Sequence, residues 1–205
     1  MSGTTHINPD AELVPSKADI AQRFALIDDI SGSYRLADPA GDVGIEILVG
    51  SDPGRRLNQL ALTYRDQPVS DEVLLCTMQH SDLGERYVSN ALGDPVAVTE
   101  LIRTIIQGDD GAIIEGGGAA TFTIKGTGTE PDADVKEAQI AETTRQRAVG
   151  TVTVNGEVRL FQLRFYSLPQ HLHGKAPELG LLLKPTDAPE DEAPYVAAEL
   201  VWSQY

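Results

Sequence analysis

The sequence predicts an α+β fold built on antiparallel sheet. Short runs of alternating apolar and polar residues recur along most of the chain, two amphipathic helices interrupt them, and strand and helix do not alternate as a parallel sheet requires. Ser16 with Asp19 resembles a capping box after Pro15, and Ile20, Phe24 and Ile27 follow at helical spacing, so a short helix is expected near 17–26. Strands follow at Ser33–Leu36 and Val43–Val49, joined across Asp38-Pro39-Ala40-Gly41-Asp42, whose Pro and Gly are turn formers. Leu57–Arg65 alternates through Leu60, Leu62 and Tyr64, and Glu72–Gln79 and Arg86–Ala91 extend the pattern around Ser81-Asp82-Leu83-Gly84.

The second helix has both ends written in. Asp94 can accept from the first free N–H groups, Pro95 fits a position that needs no N–H, and Gly108 can adopt the left-handed closing conformation. Val98, Leu101, Ile102, Ile105 and Ile106 fall on one face, which is expected to lie on antiparallel sheet. Beyond it, Thr121–Lys125 reads as a strand and the polar stretch 127–146 as a long loop. Asn155-Gly156 between Thr151–Val154 and Val158–Tyr166 is a strong hairpin signal that puts Phe161, Leu163 and Phe165 on one face. Gly180–Leu183 and Tyr195–Trp202 complete the strands around an acidic, proline-bearing connector. The chain divides into sheet-bearing halves at 1–110 and 111–205, expected to pack as one globular unit.

With 31 acidic and 16 basic residues among 205, the net charge is −15, a field that repels phosphate backbones and anionic lipid. Nucleic acid and membrane are poor partners. Cys76 is the single cysteine, which leaves no intrachain disulfide and no multi-cysteine zinc site. The N-terminus lacks a basic region followed by an apolar run, and nothing reaches the roughly 18 apolar residues of a spanning helix. A soluble cytoplasmic protein is expected.

The motifs that invite a catalytic reading resolve into ordinary structure. His80-Ser81-Asp82 resembles a kinase catalytic loop, but Tyr87 stands where the Asn for a second magnesium belongs, so a strand end and tight turn is the better reading. His171 and His173 would share a face in an extended segment, yet a zinc site needs a third ligand, and a polar loop after Pro169 is favoured. Gly116-Gly117-Gly118 and Gly126-Thr127-Gly128 lack the lysine and following helix of a phosphate loop. No Gly-x-Ser-x-Gly elbow occurs, and Cys76 reads as a small core residue in mid-strand. No catalytic residue, metal or cofactor is expected.

Four blocks carry a family resemblance. Gly32 to Glu46, Leu62-Thr63-Tyr64-Arg65, His80 to Val88 and Gly93-Asp94-Pro95-Val96 are similar, in order and spacing, to the N-terminal cap domain of actinobacterial maltokinases over roughly residues 11–110. Tyr87 stands where that family usually has Trp. The resemblance implies an actinobacterial source and a curved antiparallel sheet with flanking helices and cystatin-like topology. In maltokinases the kinase lobes that follow the cap hold the ATP, magnesium and maltose chemistry, and no residue of that chemistry maps onto this chain. It more closely resembles free-standing cap-like proteins associated with α-glucan branching enzymes, without the barrel that branching requires.

The resulting expectation is a non-catalytic binding or regulatory module near maltose, trehalose and α-glucan metabolism, with a kinase or glucan-metabolism enzyme as partner. Aromatic and arginine side chains anchor interfaces, which points to Tyr64, Arg65, His80, Arg86 and Tyr87; the bland reading is that they build the sheet and its turns. The alternative is a sugar-binding protein that uses Tyr166, Tyr195 and Trp202 in the sheet concavity, since aromatic faces suit sugar rings as well as cores.

Overall fold

The computed structural model describes residues 3–117 and 120–203. In chain order the elements are β1 (Thr4–His6), β2 (Leu13–Val14), α1 (Lys17–Ala25), β3 (Asp29–Ala37), β4 (Gly44–Ser51), β5 (Leu57–Arg65), β6 (Leu74–His80) and β7 (Gly84–Asn90). A 3₁₀ turn at Ala91–Gly93 leads to α2 (Pro95–Gln107), then β8 (Ile113–Glu115), β9 (Phe122–Gly126), β10 (Val135–Thr144), β11 (Arg147–Val154), β12 (Glu157–His171), β13 (Gly180–Pro185) and β14 (Tyr195–Trp202). Gly118, within the glycine cluster noted above, lies outside the described residues.

Both helices begin and end where their local chemistry dictates. Ser16 Oγ accepts from Asp19 N while the Asp19 carboxylate accepts from Ser16 N, completing the box that starts α1. Asp94 Oδ1 accepts from Val96 N at 3.0 Å, Pro95 occupies the first turn of α2, and Gly108 closes it at φ 62°. A side chain at Gly108 would also collide with the Gly128 carbonyl, 2.3 Å from an added Cβ, so glycine is required twice over.

Two six-stranded sheets carry the fold, ordered β2-β6-β7-β5-β4-β3 and β10-β11-β12-β14-β13-β9, and every pairing within them is antiparallel. The short β1–β8 pair is parallel. The fold contains a curled sheet, as expected, and α1 crosses one face of the first sheet, where Ile20, Ala21, Leu48, Leu60, Leu62, Met78 and Val88 form a small core. The opposite face joins a larger core with α2 and the second sheet, from Ile45 and Ile47 through Leu101 and Ile105 to Phe161 and Leu183. That two-sided coverage explains why β4 and β5 are buried at nearly every position rather than at alternate ones.

The apolar stripe of α2 is fully inside, each of its five residues contributing about 1.5–3 kcal/mol of burial. It touches β3 on one side and β9, β10 and β13 on the other, so it lies between sheets rather than upon one. The stretch 127–146, expected to be a long loop, contains β10 instead. Its alternation is broken by register shifts between Lys136 and Gln139 and between Ile140 and Glu142, and by Glu137 at φ 55°; these bulges hide a strand from a period-two reading. Asn155 and Gly156, both at positive φ, make the expected β11–β12 turn, and Phe161, Leu163 and Phe165 share the buried face of β12.

Candidate functional site

The first sheet holds a charged cluster under α1. Glu46 interrupts the apolar run of β4 on the α1-facing side and is only 2% exposed. Its Oε1 meets Lys17 Nζ at 2.8 Å, Ser33 Oγ at 3.0 Å and an Arg35 guanidinium nitrogen at 3.2 Å, while Oε2 accepts from the Tyr64 hydroxyl at 3.0 Å. Burial opposes its charge, yet Arg35 and Lys17 together hold its carboxyl below the usual glutamate range. Burial, and next the Glu46 charge, push the Tyr64 phenol well up, so Tyr64 stays a donor. The four donors occupy both carboxylate oxygens, and the arrangement locks α1 to the sheet.

Arg65, at the end of β5, is likewise directed inward. Its Nε and a terminal nitrogen each reach Asp94 at 2.7 Å, a two-bond fork onto a fully buried carboxylate that also caps α2. One aspartate therefore fixes the helix start to the sheet edge.

The remaining three candidate partner-binding residues belong to the β6–β7 hairpin. His80 Nδ1 accepts from Asp82 N at 3.2 Å and Leu83 N at 3.3 Å, holding the turn, which agrees with a strand end rather than a catalytic loop. Ser81 and Asp82 are braced from the N-terminal segment by Glu12 and Asn8. Tyr87 and Arg86 are half-exposed; the Tyr87 hydroxyl donates to Glu85 and the Arg86 guanidinium to the Glu85 carbonyl. Leu83 projects at the tip, 57% exposed. Cys76, in mid-strand on β6, is half-buried rather than enclosed, and desolvation raises its thiol pKa.

The three aromatic candidates in the second half do not meet. Tyr195 and Trp202 stand at opposite ends of β14, seven residues apart, or about 23 Å along a strand. Both pair with residues of the buried face, Tyr195 with Leu183 and Trp202 with Phe161. Tyr166 follows Phe165 on the opposite face, its hydroxyl donating to Glu199 at 3.0 Å. Tyr195 stacks on His171 at 4.2 Å between centroids, and Arg159 lies 5.5 Å over the Trp202 ring. The rings of His171 and His173 are 6.4 Å apart, and no group of three or more His, Cys, Asp or Glu placed to hold a metal occurs among the described residues.

Sequence reading missed Glu46 and the partners it gathers from β3 and α1. The available signal was a carboxylate between Ile45 and Ile47, since a charge in such a run must find buried partners. It also missed Gln59, whose amide donates to the Tyr166 and Ala197 carbonyls at 2.8 and 3.0 Å and accepts from Tyr34, tying the first sheet to the second.

Curved sheet, crossing helix and inward-facing ion pairs define an α+β module whose polar groups chiefly fix its own architecture. The family model of the maltokinase N-terminal cap domain matches residues 25–94, from the last turn of α1 to the residue that caps α2. Over that stretch the chain is cap-like, as the four sequence blocks implied. No curated protein matches the chain. Among the described residues, no helix is long and apolar enough to cross a membrane.

Proposed function

We propose that the protein is a non-catalytic binding or regulatory module related to the maltokinase cap, acting in the cytoplasm with enzymes of maltose, trehalose or α-glucan metabolism. The observation that supports this reading is how the five cap residues divide. Tyr64 and Arg65 are engaged inside by Glu46 and Asp94, whereas Arg86 and Tyr87 stay at the surface on a hairpin that His80 braces and Leu83 tips. A rigid projection bearing an arginine, an aromatic ring and an exposed leucine has the composition of an interface anchor. The reading treats 1–110 as the cap-like half and 111–205 as a mainly β half packed with it.

Sugar binding by a shared aromatic surface receives less support, because Tyr166 faces away from Tyr195 and Trp202. The test is biolayer interferometry of the immobilised full chain against a purified maltokinase and a purified α-glucan branching enzyme. Binding to either, weakened at least about tenfold (1.4 kcal/mol) by Leu83→Asp or Arg86→Glu, is expected. Absence of binding to both enzymes at tens of micromolar, or binding indifferent to the two substitutions, would count against the reading.

A further inference from the structure

A groove of about 530 Å³ opens on the second sheet, lined in part by Gln146, Arg147, Arg164, Tyr166, Ser167 and Leu168. Along it β12 shifts register against β14 between Phe165 and Gln170, and the Tyr166 carbonyl accepts from Gln59 of the first sheet at 2.8 Å. The β10–β11 turn closes the other side, where Gln146 Nε2 donates to Ser167 Oγ at 2.7 Å. The groove thus sits on fixed backbone.

Its charge is unusual for a chain of net −15. Arg147 and Arg164 are direct cross-strand partners in the β11–β12 register, and like charges placed so are unfavourable unless something lies between them. Each has an acidic neighbour. Arg147 meets Glu142 at 3.2 Å with both side chains well exposed, and Arg164 stands 3.7 Å from Glu199, beyond hydrogen-bond length, while Glu199 accepts from Tyr166. Water competes with such exposed pairs, so an anion with better geometry can displace them.

We propose that this groove binds a small phosphorylated polyol, with its phosphate between Arg147 and Arg164 and its hydroxyls along Gln146, Ser167 and Tyr166. A phosphomonoester carries close to two negative charges and three terminal oxygens, enough for a fork from each guanidinium; one carboxylate satisfies only one. Amide and hydroxyl groups line the adjoining wall, with Leu168 beside them, and the volume falls in the range of small-molecule sites. The overall negative field disfavours a polyanionic chain but leaves room for a single phosphate in a local positive pocket. This site lies on the second sheet and is independent of hairpin docking.

Isothermal titration calorimetry of the full chain with glucose 6-phosphate, inorganic phosphate, glucose and gluconate provides the test. Binding of glucose 6-phosphate, competition by inorganic phosphate at lower affinity, and silence from glucose and gluconate are expected. Arg147→Gln and Arg164→Gln should each weaken binding at least tenfold without lowering the melting temperature of the free protein, because both side chains are about half exposed. Tyr166→Phe should weaken the sugar phosphate but not inorganic phosphate. No binding of glucose 6-phosphate, affinity unchanged in both arginine variants, or preference for glucose or gluconate would overturn the proposal. Equal affinity for phosphate and the sugar phosphate would overturn its polyol part.

Discussion

Arg65 and Asp94 form a two-bond fork at 2.7 Å that joins the end of the central strand β5 to the start of α2, and Asp94 is wholly buried while doing so. Removing one partner of such a pair strands a charge, at about 3–5 kcal/mol. Arg65→Met is therefore expected to lower stability by about that amount in urea unfolding. Asp94→Asn, which keeps an acceptor for Val96 N, should cost less than Asp94→Ala, which also loses the cap, by about 1 kcal/mol. A double-mutant cycle on Arg65 and Asp94 checks the coupling; additive single effects would show that the fork carries no net energy.

The Glu46 cluster sets an acid limit. Because its folded-state pKa is depressed, Glu46 contributes stability above the ordinary value of 4.5 that is lost as pH falls through the lower folded value. The Glu46→Gln variant should be less stable at neutral pH and show a flatter decline on acidification. Parallel acid limbs for both proteins in pH-dependent denaturation would contradict this assignment.

Glu100 on α2 should behave oppositely. Burial raises its pKa more than Arg103, 2.7 Å away, lowers it, so the native state holds the proton more tightly than the unfolded chain. Its contribution favours folding as pH drops through the raised folded value and is lost as pH rises above it. Glu100→Gln is expected to change stability less than Glu46→Gln at pH 7, and to remove a gain seen on mild acidification. Thermal melts across pH 4–8 on the two variants distinguish the signs.

Gln59 links the sheets through two hydrogen bonds, to the Tyr166 and Ala197 carbonyls, and accepts a third from Tyr34 of its own sheet. Gln59→Leu leaves the Tyr34 hydroxyl and two carbonyls without that partner and should cost about 1–3 kcal/mol for each group left unsatisfied. Since buried residues of both sheets form one cluster, unfolding is expected as a single transition in both proteins. Separate transitions by tryptophan fluorescence, which reports Trp202, and by far-ultraviolet circular dichroism would contradict a common core.

What the sequence made legible follows from how local each cause is. Ser16 with Asp19, Asp94 with Pro95 and Gly108, and Asn155-Gly156 act within a few residues, so both helices and the β11–β12 hairpin are legible in the sequence. The β10 strand was not, because bulges at Glu137 and near Ile140 break its period, and its burial is supplied by α2 from across the chain. Among the site residues, Tyr64 and Arg65 are expected from residue type to anchor a partner. Their partners Glu46 and Asp94 lie 18 and 29 residues away, so only the fold shows that they face inward. The Arg147–Arg164 pair follows from the β11–β12 register, but the turn that walls their groove, at Gln146, lies at the end of the stretch expected to be loop.

The most direct test of the account is hydrogen–deuterium exchange of the full chain, alone and with the enzyme that binds it. Docking through the β6–β7 hairpin requires new protection concentrated in residues 79–88, with α1 and the Glu46 cluster unchanged. Protection confined to other surfaces, with 79–88 exchanging as in the free protein, would contradict the hairpin as the docking element.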